Sequence, residues 1–303
     1  MKYVVIGGAG FVGSNLVDFL INEGHEVSVV DNLSNGKESN VNKKSKLHIL
    51  DISHASHVKE LTNIFTGKDG VFHLAALARV QPSIKDPISF NQTNVNGTLH
   101  VLTAARDANI KRVVYSASSS AYGDAKVFPT PEDYPTDPLS PYGIQKLIGE
   151  QYCRVFHHCY NLETVSLRYF NVFGERQSLD GAYKLVMGTF VHQKLQGKPL
   201  TITGDGEQRR DFTYVGDVVK ANFLAMTSEN VGSGESINIG NGDNRSVNQI
   251  ADLIGGSKEY VERRLEPQQT LADNTKAKNL LGWQPTTTVE EWIPKYKKQI
   301  GIR

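Results

Sequence analysis

Tyr142 and Lys146 stand four residues apart in Tyr142-Gly143-Ile144-Gln145-Lys146. On a helix that spacing makes a phenol and an ammonium neighbours on one face. Pro141, just before them, suits the first turn of such a helix. Tyr122 and Lys126 share the spacing, but Gly123, Asp124 and Pro129 mark a loop, so no face is shared there. A free phenol has a pKa near 10 and becomes a proton acceptor at neutral pH only when nearby positive charge favours the phenolate. The run Ser116-Ala117-Ser118-Ser119-Ser120 follows Val113 and Val114. It puts small hydroxyls at a strand's carboxyl end, where a doubly wound sheet opens its ligand crevice. Ser118, Tyr142 and Lys146 are therefore candidates for acid–base work. Tyr142 would take a proton from a substrate hydroxyl, Ser118 would hold or relay it, and the adjacent carbon would give up a hydride.

An acceptor for that hydride is implied by a second constellation. Gly7, Gly10 and Gly13 form a G-x-x-G-x-x-G turn between a β-branched run and an amphipathic stretch. Glycines let a backbone approach a pyrophosphate, whose charge then meets the free N–H groups of a helix N-terminus. Asp31, at the end of the next β-branched run, stands at the offset of a carboxylate that accepts hydrogen bonds from a ribose diol. It would repel a 2′-phosphate, and Asn32-Leu33-Ser34 offers no arginine beside it. The cofactor expected is NAD rather than NADP.

These residues need elements to position them. Strand-length β-branched runs at 3–6, 27–30, 47–50, 71–74, 112–115 and 164–167 alternate with helical stretches, including long ones at 88–107 and 141–160. Val12, Leu16, Phe19 and Leu20 recur as one face of a helix that Gly24 ends. The alternation predicts an α/β fold with a doubly wound parallel sheet. After Phe170 the rhythm breaks into a smaller lobe, with a helix expected at 183–196, a strand at 200–202 and a turn at Gly204-Asp205-Gly206. A helix at 215–227 and a strand at 236–239 are expected to return to the first unit.

Composition sets outer limits. The chain of 303 residues is 39% hydrophobic and 21% charged, with a net charge of +1, so nothing in the balance suggests a nucleic-acid or anionic-membrane partner. No long apolar stretch or leader-like segment is seen, and a cytoplasmic protein is expected. Cys153 and Cys159 are six residues apart, well off a common helical face, which disfavours a disulfide. Cys153, His157, His158 and Cys159 lack the second ligand pair that a structural zinc site takes from another segment, so no metal is expected. Trp283, Trp292 and Tyr296 read as core, and Lys43-Lys44 and Lys297-Lys298 as solvated charge.

The motifs together resemble the extended short-chain dehydrogenase/reductase family, and within it the NAD-dependent nucleoside-diphosphate-sugar 4-epimerases. The likeness runs through Gly7 to Gly13, Asp31-Asn32-Leu33, Asp51-Ile52, Leu74-Ala75-Ala76, Asn94 to Thr98 and Ser118 to Gly123. It continues through Tyr142 to Lys146, Arg168 to Asn171 and Arg210-Asp211-Phe212. The resemblance implies a Rossmann-type domain over 1–170, joined by 214–240, and a smaller α/β lobe over 171–213 and 241–303 for the sugar nucleotide. It implies cofactor contacts from Gly7, Gly10, Phe11, Val12, Asp31, Asn32, Asn35 and Gly36, with Asp51 and Ile52 at the adenine. Leu74, Ala75, Ala76, Asn94, Ser116, Tyr142, Lys146 and Tyr169 are further cofactor positions, Asn94 behind the nicotinamide. Implied at the substrate are Ser118, Ser119, Ser120, Tyr142, Asn171, Val186, Thr201, Arg210, Val247, Arg263, Glu266 and Thr270. Arg210 matches the diphosphate-binding arginine; Leu265 and Glu266 depart from the family's Arg-x-Gly-Asp segment. Arg209 and Arg264 read as surface ion-pair residues, and Arg79 has no assigned contact. Dimers joined through the helices near 88–107 and 141–160 are also implied.

The reaction narrows by what is missing. Sugar dehydratases of the family carry an Asp–Glu pair where Ser119 and Ser120 stand, and nucleotide-glucuronate decarboxylases carry a Glu nearby. A serine hydroxyl is no general acid or base at neutral pH, so elimination is disfavoured. Epimerisation at C4 of a UDP-hexose is the expectation. A UDP-glucuronate 4-epimerase is the nearest rival, although such relatives usually have Thr at the place of Asn171. A net NAD-dependent oxidoreductase and a non-catalytic NAD sensor remain as other classes. Thr270 falls where glucose-restricted members carry a Tyr beside the sugar's C2 substituent, so an N-acetyl group should fit and both the plain and N-acetylated hexose pairs are expected substrates.

Overall fold

The computed structural model of the chain describes residues 1–178, 185–263 and 266–302. The first half alternates as its pattern demands. Strand β1 (Lys2–Ile6) leads into helix α1 (Phe11–Asn22), which buries Leu16, Val17 and Leu20. Then follow β2 (Glu26–Asp31), β3 (Lys46–Ile49), α2 (Val58–Phe65), β4 (Gly70–His73), α3 (Val80–Lys85) and α4 (Pro87–Asn91). A five-residue π turn (Gln92–Asn96) joins α4 to α5 (Gly97–Asp107), so the helix expected over 88–107 is a single rod with a widened middle. β5 (Arg112–Ser118), α6 (Pro141–Tyr160) and β6 (Glu163–Tyr169) complete this half.

The second half is a set of short pieces: β7 (Val172–Phe173), α7 (Val186–Leu195), β8 (Leu200–Thr203), β9 (Arg209–Asp211) and β10 (Thr213–Tyr214). After these come α8 (Val215–Thr227), β11 (Ser233–Ile239), β12 (Asn244–Ser246) and α9 (Val247–Ile254). Last are β13 (Lys258–Val261), α10 (Thr275–Leu281) and α11 (Val289–Gln299). The described part of the helix expected over 183–196 begins at Val186; Tyr183 and Lys184 lie outside the described residues.

Seven strands form one parallel sheet in the order β11-β6-β5-β4-β1-β2-β3. Central strands buried on both faces read as continuous Val/Ile runs, and Val4, Val5 and Ile6 show no solvent exposure. The order reverses direction between β1 and β4, and ligands of such sheets bind at the carboxyl ends beside that reversal. β11 pairs in parallel with β6, Ile239 opposite Tyr169, and Val218, Ala221 and Ala225 of α8 share a core with Leu16 and Leu20. The smaller lobe has its own core, in which Phe173, Phe190, Ile202, Ile250 and Trp292 pack together. Glu175 fastens it, accepting from Trp292 Nε1 at 2.7 Å and from the Tyr214 hydroxyl at 3.0 Å. Cys153 is buried on α6 and Cys159 exposed, both as free thiols. Among the described residues no helix is long and apolar enough to cross a membrane.

Candidate active site

The glycine turn is shaped by close approach. Gly7 has φ +83°, and a Cβ there would lie 2.6 Å from Ala75 N; one on Gly13 would lie 2.1 Å from Gly7 O. No side chain caps α1, whose first N–H groups face the crevice from an extended Gly10. Asp31 accepts from Ala9 N at 3.0 Å and Leu33 N at 2.8 Å, so its carboxylate fixes the turn as well as facing a ligand. A cavity of about 110 Å³ opens beside it, walled by Asp31, Asn32, Gly36, Asp51, Ile52 and Ala75. Asn32 Nδ2 donates to Asp51 at 2.9 Å. The described lining of this cavity contains two carboxylates and no Lys, Arg or His. That is a place for a neutral ribose diol rather than a 2′-phosphate, and these residues fit NAD. Asn35, Leu74 and Ala76 border both this cavity and a larger neighbour.

The larger cavity, about 660 Å³, brings the glycine turn and the acid–base candidates to one space: Gly10, Phe11 and Val12 on one side, Ser116, Ser118, Tyr142, Lys146 and Tyr169 on the other. Their positions follow from local structure. Ser118 ends β5 directly opposite Tyr169 of β6. Ser140 caps α6 by accepting from Gly143 N, Pro141 opens its first turn, and Tyr142 and Lys146 then share the face toward the crevice. Burial pushes the Tyr142 phenol's pKa upward, and the neighbouring Ser118 side chain opposes that by favouring the charged form. Lys146 Nζ donates to Ser116 O at 2.6 Å and lies over the Tyr115 ring, and burial brings its pKa down to about 7. Arg79, which lines the same cavity, also favours the charged phenol.

A third cavity, about 550 Å³, reaches into the smaller lobe; Arg79, Ser119, Ser120 and Asn171 line both it and the larger cavity. Its far wall carries Val186, Thr201, Arg210, Val247, Glu266 and Thr270. Arg210 donates to Glu266 at 2.6 Å and to Arg209 O at 2.8 Å. An arriving diphosphate would compete with Glu266 for that fork. Buried Asp211 accepts from Asn241, Gly242 and Ala272 N–H groups and so ties β9 to two loops; burial brings its pKa up to about 7.

Two expected residues do not reach a cavity. Asn94 is buried behind the wall, clasping Leu77 N and O and donating to Gln145. Arg263 is exposed and donates to Gln268, outside the described cavity linings. Arg209, expected in an ion pair, donates instead to the side chain and carbonyl of Asn244. Arg264 and Leu265 lie outside the described residues. Sequence reasoning missed Gln177, which is buried, lines the large cavity and has both amide atoms without a hydrogen-bond partner among the described residues. A glutamine after β7 carries no spacing signal that could have singled it out.

The model of the NAD dependent epimerase/dehydratase family matches residues 3–240. A putative UDP-glucose 4-epimerase of Methanocaldococcus jannaschii is 37% identical over 298 residues, 96% of this chain and 95% of that protein. The structure of a UDP-glucose 4-epimerase from Thermotoga maritima, solved with UDP-glucose, superposes with a TM-score of 0.93 at 38% identity, covering 99% of this chain and 100% of that one. A UDP-N-acetylglucosamine 4-epimerase from Methanobrevibacter ruminantium, in complex with UDP-N-acetylmuramic acid, gives 0.90 at 36% identity and 98% coverage of each chain. On that family match over most of its length and on such relatives, the chain belongs to the NAD dependent epimerase/dehydratase family.

Proposed function

We propose that the protein is a UDP-sugar 4-epimerase acting on UDP-glucose/UDP-galactose and on the N-acetylated pair. The observation that carries the reading is the cavity shared by the glycine turn and Ser118, Tyr142 and Lys146, with hydroxyls rather than carboxyls at Ser119 and Ser120. The comparisons support the reaction class. Gln177 supports the wider substrate range, since a buried side-chain amide without a partner among the described residues suits a polar sugar substituent. Segments 1–170 and 214–240 hold the cofactor, and 171–213 with 241–303 hold the sugar nucleotide.

NAD, when bound, supplies the electron acceptor for the sugar's C4 carbon and afterwards the donor that returns the same two electrons. The protein's own part is positioning and proton transfer. Tyr142 accepts the proton of the C4 hydroxyl with Ser118 hydrogen-bonded to it, leaving a 4-keto sugar. Ser119, Ser120 and Asn171 border the space in which that sugar presents its other face. Tyr142 then returns the proton to the new alkoxide, and no net oxidation results. Arg210 holds the diphosphate while the sugar turns.

The test is a panel of UDP-glucose, UDP-N-acetylglucosamine, UDP-glucuronate and UDP-xylose without added NAD, with separation of the epimers. Equilibration of the first two pairs is expected. Turnover of UDP-glucuronate alone would move the assignment to the uronic-acid epimerases, and a nicotinamide absorbance change in proportion to substrate would make the protein a net oxidoreductase.

A further inference from the structure

The small cavity beside Asp31 is walled in part by Asp51 and Ile52, and the carbonyls of these two residues are held by two histidines that do not line it. His57 Nδ1 donates to Asp51 O at 2.8 Å, and His100 Nδ1 donates to Ile52 O at 2.7 Å. A carbonyl only accepts, so each ring carries a proton on Nδ1, and that donor persists whether or not Nε2 is protonated. The rings come from separate elements. His57 closes the turn Ala55–His57 that leads into α2, and His100 stands on α5. The same two helices seat the Ile52 side chain, which shares a core with Leu61 of α2 and Val101 of α5.

A trans peptide is planar and points its C=O and N–H in opposite directions. With the Asp51 carbonyl turned to His57, the Ile52 N–H is turned away from it, and among the described residues that N–H meets no acceptor. With the Ile52 carbonyl turned to His100, the Ser53 N–H points the other way and donates to Asp51 Oδ1 at 2.8 Å. Asn32 Nδ2 holds the other carboxylate oxygen at 2.9 Å, and each oxygen keeps a lone pair for a ligand. One histidine thus orients a backbone donor; the other, through Ser53, orients the carboxylate beside it. An acceptor next to a donor complements the amino group and ring nitrogen of adenine, and opposes the carbonyl and ring N–H of hypoxanthine. We propose that His57 and His100 are positioning residues for the cofactor, acting through the Asp51–Ile52 and Ile52–Ser53 peptides to set its adenine preference.

This rests on the cavity being the adenosine site of NAD and not on the epimerase reaction. The probe is nicotinamide hypoxanthine dinucleotide, which differs from NAD only at the purine edge. NAD-loaded full-length protein, without sugar, is equilibrated with an equimolar excess of both dinucleotides, and the bound ratio is read by chromatography after desalting. The wild-type chain should favour NAD by about tenfold or more, and His57→Ala and His100→Ala should each cut that preference by about five- to tenfold. His57→Asn and His100→Asn, whose amide nitrogen stands near the place of Nδ1, should keep most of it; the glutamine variants, whose nitrogen stands near Nε2, should not. Both histidines are only half-buried, and the asparagine–glutamine comparison decides the matter if an alanine variant fails to fold. A wild-type chain that takes both dinucleotides alike would overturn the proposal. So would an unchanged ratio in both alanine variants, even with less dinucleotide bound, since that marks a general loosening. A chain that binds neither dinucleotide would remove the cofactor reading of the cavity, and the proposal with it, while epimerisation without a preference for adenine would overturn the proposal alone.

Discussion

At the scale of single residues, the site combines a phenol whose burial opposes ionisation with groups that favour it. Tyr142→Phe keeps the ring and its packing, so NAD and sugar-nucleotide binding should survive while turnover falls by at least ~10²-fold. Isothermal titration beside an epimer assay checks this, and near-normal turnover would remove Tyr142 as the base. Lys146 makes a pH prediction. Its folded pKa of about 7 lies below the ordinary 10.5, so the folded chain disfavours the ammonium. The associated stability is present above about 10.5 and is lost as pH falls through 7. Thermal unfolding of NAD-free protein should therefore show a loss of stability between alkaline and neutral pH that Lys146→Met flattens; parallel profiles would show that the ammonium is not desolvated. Thr270 lines the sugar-side cavity with Thr201 and Arg210. Thr270→Tyr should lower the rate on the N-acetylated pair relative to the plain pair by one to two decades, the ~1–3 kcal/mol cost of overpacking. Equal loss on both pairs would place the wall elsewhere.

Among the elements, the β1–α1 turn is the least forgiving. Gly13 has no room for a methyl group, because the atom in the way is the backbone oxygen of Gly7 rather than a side chain that can swing aside. Gly13→Ala should cost about 1–3 kcal/mol of stability and release bound NAD, since the displaced Gly7 also abuts Ala75. Denaturant unfolding and the nicotinamide content of purified protein would report both effects, and a variant that keeps full NAD would refute the coupling. A glycine turn ahead of an amphipathic stretch is legible in a sequence because its spacing is local. The π turn between α4 and α5 is not, since its widened geometry is settled by neighbours such as Gln145, which reaches the Asn94 side chain from α6.

For the whole molecule, α4 and α6 expose Ile88, Ile144 and Val155, and the last two are three helical turns apart on one stripe. A second copy of the chain covering this face would form a bundle of paired helices, as the family resemblance implies. Ile88→Glu with Val155→Glu should then convert the dimer to monomer in sedimentation velocity, each buried apolar side chain being worth ~1.5–3 kcal/mol. A wild-type chain that sediments as a monomer would overturn this. Soluble folding of the variant is expected in either case, because both positions lie outside the buried core.

The sequence by itself determined what short-range spacing can encode: six β-branched runs, the glycine turn with its Asp31, and the Tyr142–Lys146 face. Each depends on residues within a turn, a strand or one β-α-β unit of one another, and each stands in the structure as an element or a shared cavity wall. Tertiary structure alone decided which charges meet. Asn94 lies behind the wall and Arg263 points away because contacts with distant Gln145 and with Gln268 take up their polar groups. Arg79 and Tyr142, 63 residues apart in sequence, line one cavity where Ser83 of α3 holds the start of α6, and Gln177 lines it from beyond β7. No periodicity announces such contacts, since the energy of a charge or a buried amide depends on what the fold places beside it.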